Sequence, residues 1–239
     1  MTLTLADLCD DAALLSFETQ LHLAEVIGDR RWDVDLAAGR FVFGGGTGEH
    51  TEDLVCARVH LLGSAAPGPR SWLWSWATSQ GWSDDVTDLA RWLRGFGQQQ
   101  GVRELVEPEV GFADVPGADD PLVAGAVLMD AAKAAAGRWA GYSGPVGGGT
   151  RAAFLLEHPS FVLPAPEGVR VVRVLSEGLM AAPLLTDHRR AVAAYAAARP
   201  LASRWSPDGT EVELSLPGAV VTVRFDELGR VGGIASTLG

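Results

Sequence analysis

Alternating tryptophans in one short segment are the feature of this sequence that most restricts its fold. Trp72, Trp74 and Trp76 are separated by single leucine or serine residues in the segment SWLWSWA. In an extended strand, every second side chain lies on the same face of the sheet, so this spacing predicts three indoles on one face. Because each indole buries about 200 Å², the three together are expected to dominate whichever core or groove they contact.

The composition is that of an acidic globular protein. The chain has 239 residues, of which 47% are hydrophobic, and a net charge of −11. The hydrophobic content is too high for a disordered chain, and the lack of a basic run argues against nucleic acid or an anionic membrane as a partner. Of the nineteen basic residues only Lys133 is lysine, which we interpret as the codon bias of a GC-rich genome.

The two cysteines and the N-terminal segment indicate the cellular compartment of the protein. Cys9 and Cys56 are far apart in the sequence, so we favour free thiols in a reducing compartment over a disulfide or a zinc site. The first residues lack the basic region and the cleavage site of a signal peptide. No apolar run approaches the roughly 20 residues that span a bilayer. We therefore expect a cytoplasmic protein.

Capping and turn signals predict an α+β fold, in which helices pack on an antiparallel β-meander. Thr4 and Asp7 have the spacing of a capping box, and apolar residues then follow at helical spacing as far as Gly28. Residues 31–77 show alternation and short turns that predict four antiparallel strands beneath this helix. Two further helices are predicted to begin at Ser83 and Asp120.

A proline-rich segment, residues 159–168, is the best candidate for a linker. We therefore predict two units, residues 1–160 with the tryptophan strand and a smaller unit of residues 161–239. In the second unit, residues 169–175 are predicted to be a strand, followed by a helix. Turn signals then predict an antiparallel meander that includes strands at residues 211–216 and 219–225.

Two glycine-rich segments have the composition of catalytic or phosphate-binding loops. Residues 44–48, GGGTG, lack the lysine of a P-loop and lie between predicted antiparallel strands, which favours a flexible turn. Residues 141–145, GYSGP, are similar to a nucleophile elbow, but Pro145 stands where the final glycine belongs and a strand is predicted to follow. Neither segment therefore makes a strong prediction of a site.

Asp33, Asp35 and His50 are the candidates for a polar site. The two aspartates lie on one face of the first predicted strand, where paired carboxylates could serve acid–base chemistry in a cleft or face solvent as an ordinary strand surface. His50 lies among acidic residues in a loop that is either a metal site or a solvated turn. Since no HExxH motif or other histidine pair at helical spacing occurs, we predict no metal and no other cofactor.

The tryptophans themselves have two interpretations. In the first, Trp72, Trp74 and Trp76 pack beneath a helix as part of the core. In the second, they line a groove for a small apolar ligand or a partner protein, and Trp82 and Trp92 extend that surface. Each buried indole N–H needs a hydrogen-bond acceptor, so a dry core of three tryptophans would be unusual. We therefore keep the groove as an alternative interpretation.

Several segments resemble an uncharacterised, mostly actinobacterial protein family. They are WDVD at residues 32–35, RFVFG at 40–44, LLGS at 61–64, SWLWSWA at 71–77, ELVEP at 104–108 and YSGP at 142–145. The family signature is LGS…WLWxWA, and the resemblance covers about residues 5–160. It implies a cytoplasmic bacterial protein without an assigned activity, so it identifies no catalytic residue.

The leading prediction is a non-enzymatic binding or interaction module that recognises an unknown protein or a small apolar ligand through the tryptophan surface. One alternative is a small-molecule hydrolase or transferase with Asp33, Asp35 or His50 in its pocket. Another is a structural protein that forms a homodimer through the exposed edge of the last meander.

Overall fold

The computed structural model of the protein describes residues 2–238, and within that range it describes the side chains of all but His50 and Leu238. The described chain has an α+β fold, as predicted, with seven α-helices and twelve antiparallel strands. The helices are α1 (Leu5–Ile27), α2 (Asp84–Gln100), α3 (Arg103–Val106), α4 (Pro121–Ala136), α5 (Gly168–Arg173), α6 (Leu179–Ala181) and α7 (His188–Ala198).

The strands form three sheets in the described residues. The hairpin sheet contains β1 (Arg31–Asp35), β2 (Arg40–Gly44) and β3 (Leu54–Val55), in that order. The central sheet has the order β6-β5-β4-β8-β7 and contains β4 (Arg58–Ala66), β5 (Ser71–Trp74), β6 (Glu109–Gly111), β7 (Gly141–Gly147) and β8 (Thr150–Glu157). The C-terminal sheet has the order β12-β11-β10-β9 and contains β9 (Ala202–Trp205), β10 (Glu211–Leu216), β11 (Ala219–Phe225) and β12 (Val231–Leu238).

The long helix α1 lies at the centre of the fold. Its predicted capping box is confirmed, because the Asp7 N–H donates to the Thr4 hydroxyl and the Asp7 carboxylate accepts from the Thr4 N–H at 2.9 Å. Different faces of α1 supply Leu8, Leu14 and Leu23 to three separate hydrophobic clusters. Because its apolar residues lie on more than one face, α1 is largely buried and packs against both α4 and α7.

The single meander predicted for residues 31–77 is wrong, because its strands belong to two sheets. β1, β2 and β3 form the hairpin sheet, whereas β4 and β5 belong to the central sheet. The cause is the antiparallel pairing of β4 with β8, in which Val59 lies opposite Leu156 and Ala65 opposite Arg151. Pairing between segments so distant in the chain leaves no local pattern, so turn signals alone could not predict it.

The strand predicted for residues 169–175 is also wrong. The segment forms α5 and a π-helical turn, Val174–Gly178. Val171, Val174 and Leu175 repeat at helical spacing and are fully buried against the C-terminal core, so packing overrides the strand preference of β-branched residues. The predicted strands at residues 211–216 and 219–225 are confirmed with those bounds as β10 and β11.

The division into residues 1–160 and 161–239 stays a prediction. α1 supplies Ala13, Leu14 and Leu15 to the same cluster as the C-terminal sheet and α7, so the two units share one helix. Cys9 and Cys56 are both buried free thiols. No helix in the described residues combines the length and the apolar composition that a membrane span requires.

Candidate functional site

The tryptophan segment is extended only in its first half. β5 ends at Trp74, and Trp76 lies in a 3₁₀ turn, Ser75–Ala77, so the prediction of three indoles along one strand face is wrong for Trp76. Trp72 and Trp74 are 0% exposed and pack edge to face, with ring centroids 5.2 Å apart. The Trp74 indole N–H donates to the carbonyl of Glu104 at 2.9 Å. The side chains of these two residues therefore belong to the core.

Gly63 makes room for this pair of indoles. It lies opposite Trp74 in the register of β4 and β5. A Cβ atom added at Gly63 would lie 2.8 Å from the ring of Trp72, which is closer than side chains approach each other in proteins. The glycine of the LLGS segment is thus explained by the close packing of the Trp72 ring on β4.

The other three candidate tryptophans, Trp76, Trp82 and Trp92, lie at different places and none of them is fully buried. Trp76 is half-buried, and the Arg94 guanidinium lies 4.3 Å above its ring. Trp92 is 50% exposed on α2 and stacks on Phe96 with a centroid distance of 5.6 Å. Trp82 is half-buried in the loop before α2. The five predicted tryptophans therefore do not form one continuous surface.

A groove of about 850 Å³ lies between the central sheet, the β1–β2 hairpin and the loop before α2. We call it the hairpin groove. It brings together apolar side chains that the fold leaves partly exposed, namely Val34, Leu36, Leu73, Trp82 and Val146. Trp74 also borders it, so two of the five predicted tryptophans meet at this groove.

The wall of the hairpin groove also contains polar groups. Its polar residues are Asp35, Ser64, Ser75, Thr78 and Gln80. Three of them are engaged within the protein. An Asp35 carboxylate oxygen accepts from the Ala38 N–H at 2.9 Å, the Ser75 hydroxyl donates to the Leu61 carbonyl at 2.5 Å, and the Thr78 hydroxyl accepts from the Gln80 N–H at 3.3 Å. Asp35 is the sole ionisable side chain among the described residues of the groove.

The structure describes two of the three predicted polar side chains, those of Asp33 and Asp35. Asp33 and Asp35 are both exposed on β1, as alternation along a strand requires, and only Asp35 borders the hairpin groove. The side chain of His50 lies outside the part that the structure describes. Among the described residues, no three His, Cys, Asp or Glu side chains are close enough to hold a metal ion.

The two glycine-rich segments form no catalytic loop in the described structure. In the first, the Asp29 carboxylate accepts from the N–H and the hydroxyl of Thr47, and a carboxylate in this place repels a phosphate. In the second, Ser143 lies inside β7, which pairs with β8 as an ordinary antiparallel strand. A nucleophile elbow needs a sharp turn from a strand into a helix, and this segment has none.

Residues 6–159 match a family of unknown function, DUF6882. The chain belongs to this family. The match agrees with the sequence resemblance to an uncharacterised family and includes every residue that borders the hairpin groove. Among curated proteins and among solved structures, none matches the chain.

The DUF6882 segment also contains a buried polar cluster that was not predicted from the sequence. Ser16 on α1 meets Asp130 and Lys133 on α4, and all three side chains are buried. They border a second cavity, of about 350 Å³. One sequence signal could have indicated it: the only lysine of a chain that otherwise uses arginine is Lys133.

A second polar cluster in the DUF6882 segment surrounds His60, which is 1% exposed. Its Nδ1 lies 3.2 Å from Asp88 on α2, and its Nε2 lies 2.9 Å from Glu157 on β8. Arg58 and Arg138 form ion pairs with the same two carboxylates. The hydrogen bond from His60, followed by the nearby arginines, lowers the pKa of Glu157. Since the charges are paired with one another, we interpret this cluster as a structural link between α2 and the central sheet.

Proposed function

We propose that this protein is a non-enzymatic binding module that holds a small, mostly apolar molecule in the hairpin groove. The observation that carries the proposal is the meeting of part-exposed apolar side chains, Leu36, Leu73, Trp82 and Val146, from four separate segments at one groove. Its volume of about 850 Å³ lies within the range of about 300–1,000 Å³ typical of small-molecule sites. Apolar walls with a few fixed polar groups are also typical of such sites.

The charge of the groove restricts the charge of the ligand that it can bind. Asp35 is its sole described ionisable side chain, and the chain as a whole carries a net charge of −11. An anionic ligand would be repelled by both. We therefore propose a neutral or cationic ligand, whose hydrogen-bonding group lies near Asp35 or Ser64 and whose apolar part lies against Leu73 and Trp82.

The same composition favours binding over catalysis. General acid–base chemistry by paired carboxylates needs a second titratable group beside the first, and Asp35 has none in the described lining of the groove. The described lining also contains no histidine, cysteine or lysine that could activate a nucleophile. A hydrolase or transferase that uses Asp33, Asp35 or His50 stays the alternative, and loss of turnover in an Asp35→Asn variant would favour it.

The proposal is tested with the neutral fluorescent probe N-phenyl-1-naphthylamine, whose emission rises in apolar sites. We expect saturable binding of one probe per chain. Ser64 lies opposite Leu73 in the register, and both border the groove. A Ser64→Trp variant therefore fills the groove and should abolish binding. Trp82→Ala should weaken binding by about tenfold, since it removes an aromatic wall.

Trp92→Ala is the matched control, because Trp92 is also a part-exposed tryptophan but lies outside the hairpin groove. We expect its affinity for the probe to equal that of the wild type. Equal losses in Trp82→Ala and Trp92→Ala, or full binding by Ser64→Trp, would contradict the proposal.

Three broader predictions accompany this proposal. The protein is expected in the cytoplasm of an actinobacterial cell, without nucleic acid or membrane as a partner. A protein partner at the groove is the second form of the binding prediction. Homodimerisation through β12, an edge strand of the C-terminal sheet, stays the structural alternative, and light scattering on the purified protein distinguishes it.

A further inference from the structure

The buried cluster of Ser16, Asp130 and Lys133 borders its own cavity, which shares no residue with the hairpin groove. This polar cavity, of about 350 Å³, lies between α1, α4, the β7–β8 hairpin and the segment of residues 181–183. Asp130, Lys133 and Arg151 are its charged lining residues. Any ligand of this cavity would therefore meet a different chemistry from that of the groove.

Lys133 is held rigidly at the wall of the polar cavity. Its ammonium donates to the Ser16 hydroxyl at 2.6 Å and to an Asp130 carboxylate oxygen at 3.0 Å. The Ser16 hydroxyl in turn donates to the same carboxylate oxygen at 2.6 Å. An ammonium has three donors, so one N–H of Lys133 has no acceptor among the described residues although the side chain is 1% exposed. Ser16 is engaged on both sides, which makes it a positioning group.

Arg151 supplies a second cation to the polar cavity. Its Nε and Nη2 groups donate to the hydroxyl and the carbonyl of Ser143, at 3.3 and 2.8 Å. No described carboxylate lies within ion-pair distance of this guanidinium, in a chain that has thirty acidic residues. Since a guanidinium has five N–H donors, three of them have no acceptor among the described residues, and Arg151 lines the cavity. A fork of such donors fits a carboxylate.

The net charge of the cavity lining favours a singly charged anion over a doubly charged one. Two cations, Lys133 and Arg151, face one carboxylate, Asp130, so the described lining carries one net positive charge. A carboxylate ligand neutralises it, whereas a phosphate monoester with a charge of about −1.5 to −2 would leave excess negative charge in a confined site. The remaining walls include Phe17, Leu122, Met129 and Pro183, which are apolar.

We propose that the polar cavity is a binding site for a small monocarboxylic acid with an apolar body. The carboxylate pairs with Arg151 and the free N–H of Lys133, and the apolar body contacts Phe17 and Leu122. This site does not depend on the function proposed for the hairpin groove, because the two have separate linings and opposite charge preference.

The test is calorimetric titration of the full chain with acetate, hexanoate and benzoate, with hexanamide and hexyl phosphate as matched ligands. We expect saturable binding of hexanoate or benzoate, and binding at least tenfold weaker for hexanamide and for hexyl phosphate. An Arg151→Gln variant should lose at least tenfold in affinity for the acid. Arg40→Gln removes the same charge from an exposed position on β2 and should bind as the wild type does. Ser64→Trp, which fills the hairpin groove, should also leave this binding unchanged.

Four results would overturn the proposal: no saturable binding of any of the three acids, equal binding of hexanoate and hexanamide, tighter binding of hexyl phosphate, or equal losses in Arg151→Gln and Arg40→Gln. A thermal melt of each variant shows whether a loss of affinity comes from unfolding. Arg151 is the residue to change, because it is only half-buried and its replacement leaves no buried charge unpaired.

Discussion

The ammonium of Lys133 on α4 donates a hydrogen bond to the hydroxyl of Ser16 on α1, 2.6 Å away and 117 residues earlier in the chain. The side chain passes directly beneath β7, where a Cβ atom added at Gly141 would lie 2.5 Å from Lys133 Cε. A glycine at this position therefore gives the lysine its space. We expect the bulkier guanidinium of arginine, which the chain uses at its other basic positions, to pack less well against Gly141.

We expect Lys133→Met to destabilise the protein strongly. The change leaves the buried carboxylate of Asp130 without its cation, and loss of one partner of a buried ion pair costs about 3–5 kcal/mol. Urea denaturation at pH 7 measures the free energy of unfolding. Arg173→Met is the control, because Arg173 and Glu177 form an exposed pair worth less than about 1 kcal/mol. Similar small losses in both variants would show that Asp130 does not depend on Lys133.

The burial of Trp74 predicts a large effect of its removal. Trp74→Ala should lower the free energy of unfolding by about 3–5 kcal/mol, since it opens a cavity in the core and removes the hydrogen bond to Glu104. Trp92→Ala, at a half-exposed position, should cost about 0.5 kcal/mol or less. Chemical denaturation of both variants compares them. Equal costs would contradict the assignment of Trp74 to the core.

The cluster around His60 predicts a defined dependence of stability on pH. The pKa of Glu157 is lowered in the folded protein from its ordinary value of 4.5, so this carboxylate stabilises the fold above pH 4.5. The stabilisation disappears as the pH falls through the lowered pKa of the folded state. Wild type should therefore exceed Glu157→Gln in stability at pH 7, and the difference should shrink below pH 4.5.

Urea midpoints from pH 7 to pH 3 follow this difference. Glu49→Gln, at an exposed position in a 3₁₀ turn, Gly48–His50, is the matched control and should track the wild type throughout. If the gap between wild type and Glu157→Gln stays constant down to pH 3, the ion pairs of Glu157 do not stabilise the fold.

The sharing of α1 predicts the behaviour of the separated units. Residues 1–160 alone would expose Leu14 and Leu15 and would leave Glu18, which is 0% exposed, without Tyr195 and its paired arginines. We therefore expect this fragment to lack a cooperative thermal transition and to regain one when it is expressed together with residues 161–239. A fragment that melts like the full chain would instead support two independent domains.

Elements with a local signature were predictable from the sequence. The capping box of Thr4 and Asp7 predicted the start of α1, and turns with alternating residues predicted β10 and β11 at their observed bounds. The fold class followed from these elements. Local sequence patterns carry no information about which distant segments pair, so the pairing of β4 with β8 could not be predicted from them.

The sites were less predictable than the elements. The hairpin groove contains Trp74 and Trp82 of the predicted tryptophan surface and Asp35 of the alternative polar site. The end of β5 at Trp74 was not predictable, because it depends on tertiary contacts that alternation does not record. The polar cavity was not predicted, because Ser16 and Lys133 meet only when α1 packs on α4. The single lysine stands out in the sequence, but only the structure shows that it is buried and bonded to Ser16 and Asp130.

The placement of α1 in all three cores has a consequence for how the chain is made. During translation α1 leaves the ribosome with apolar side chains that belong to three different cores, and Tyr195, whose hydroxyl donates to Glu18, follows 177 residues after Glu18. At about 5–20 residues per second this interval is about 10–35 s. In the last part of that time only the face of α1 that carries Ala13, Leu14 and Leu15 lacks its partners, because the residues that cover its other two faces have already left the ribosome.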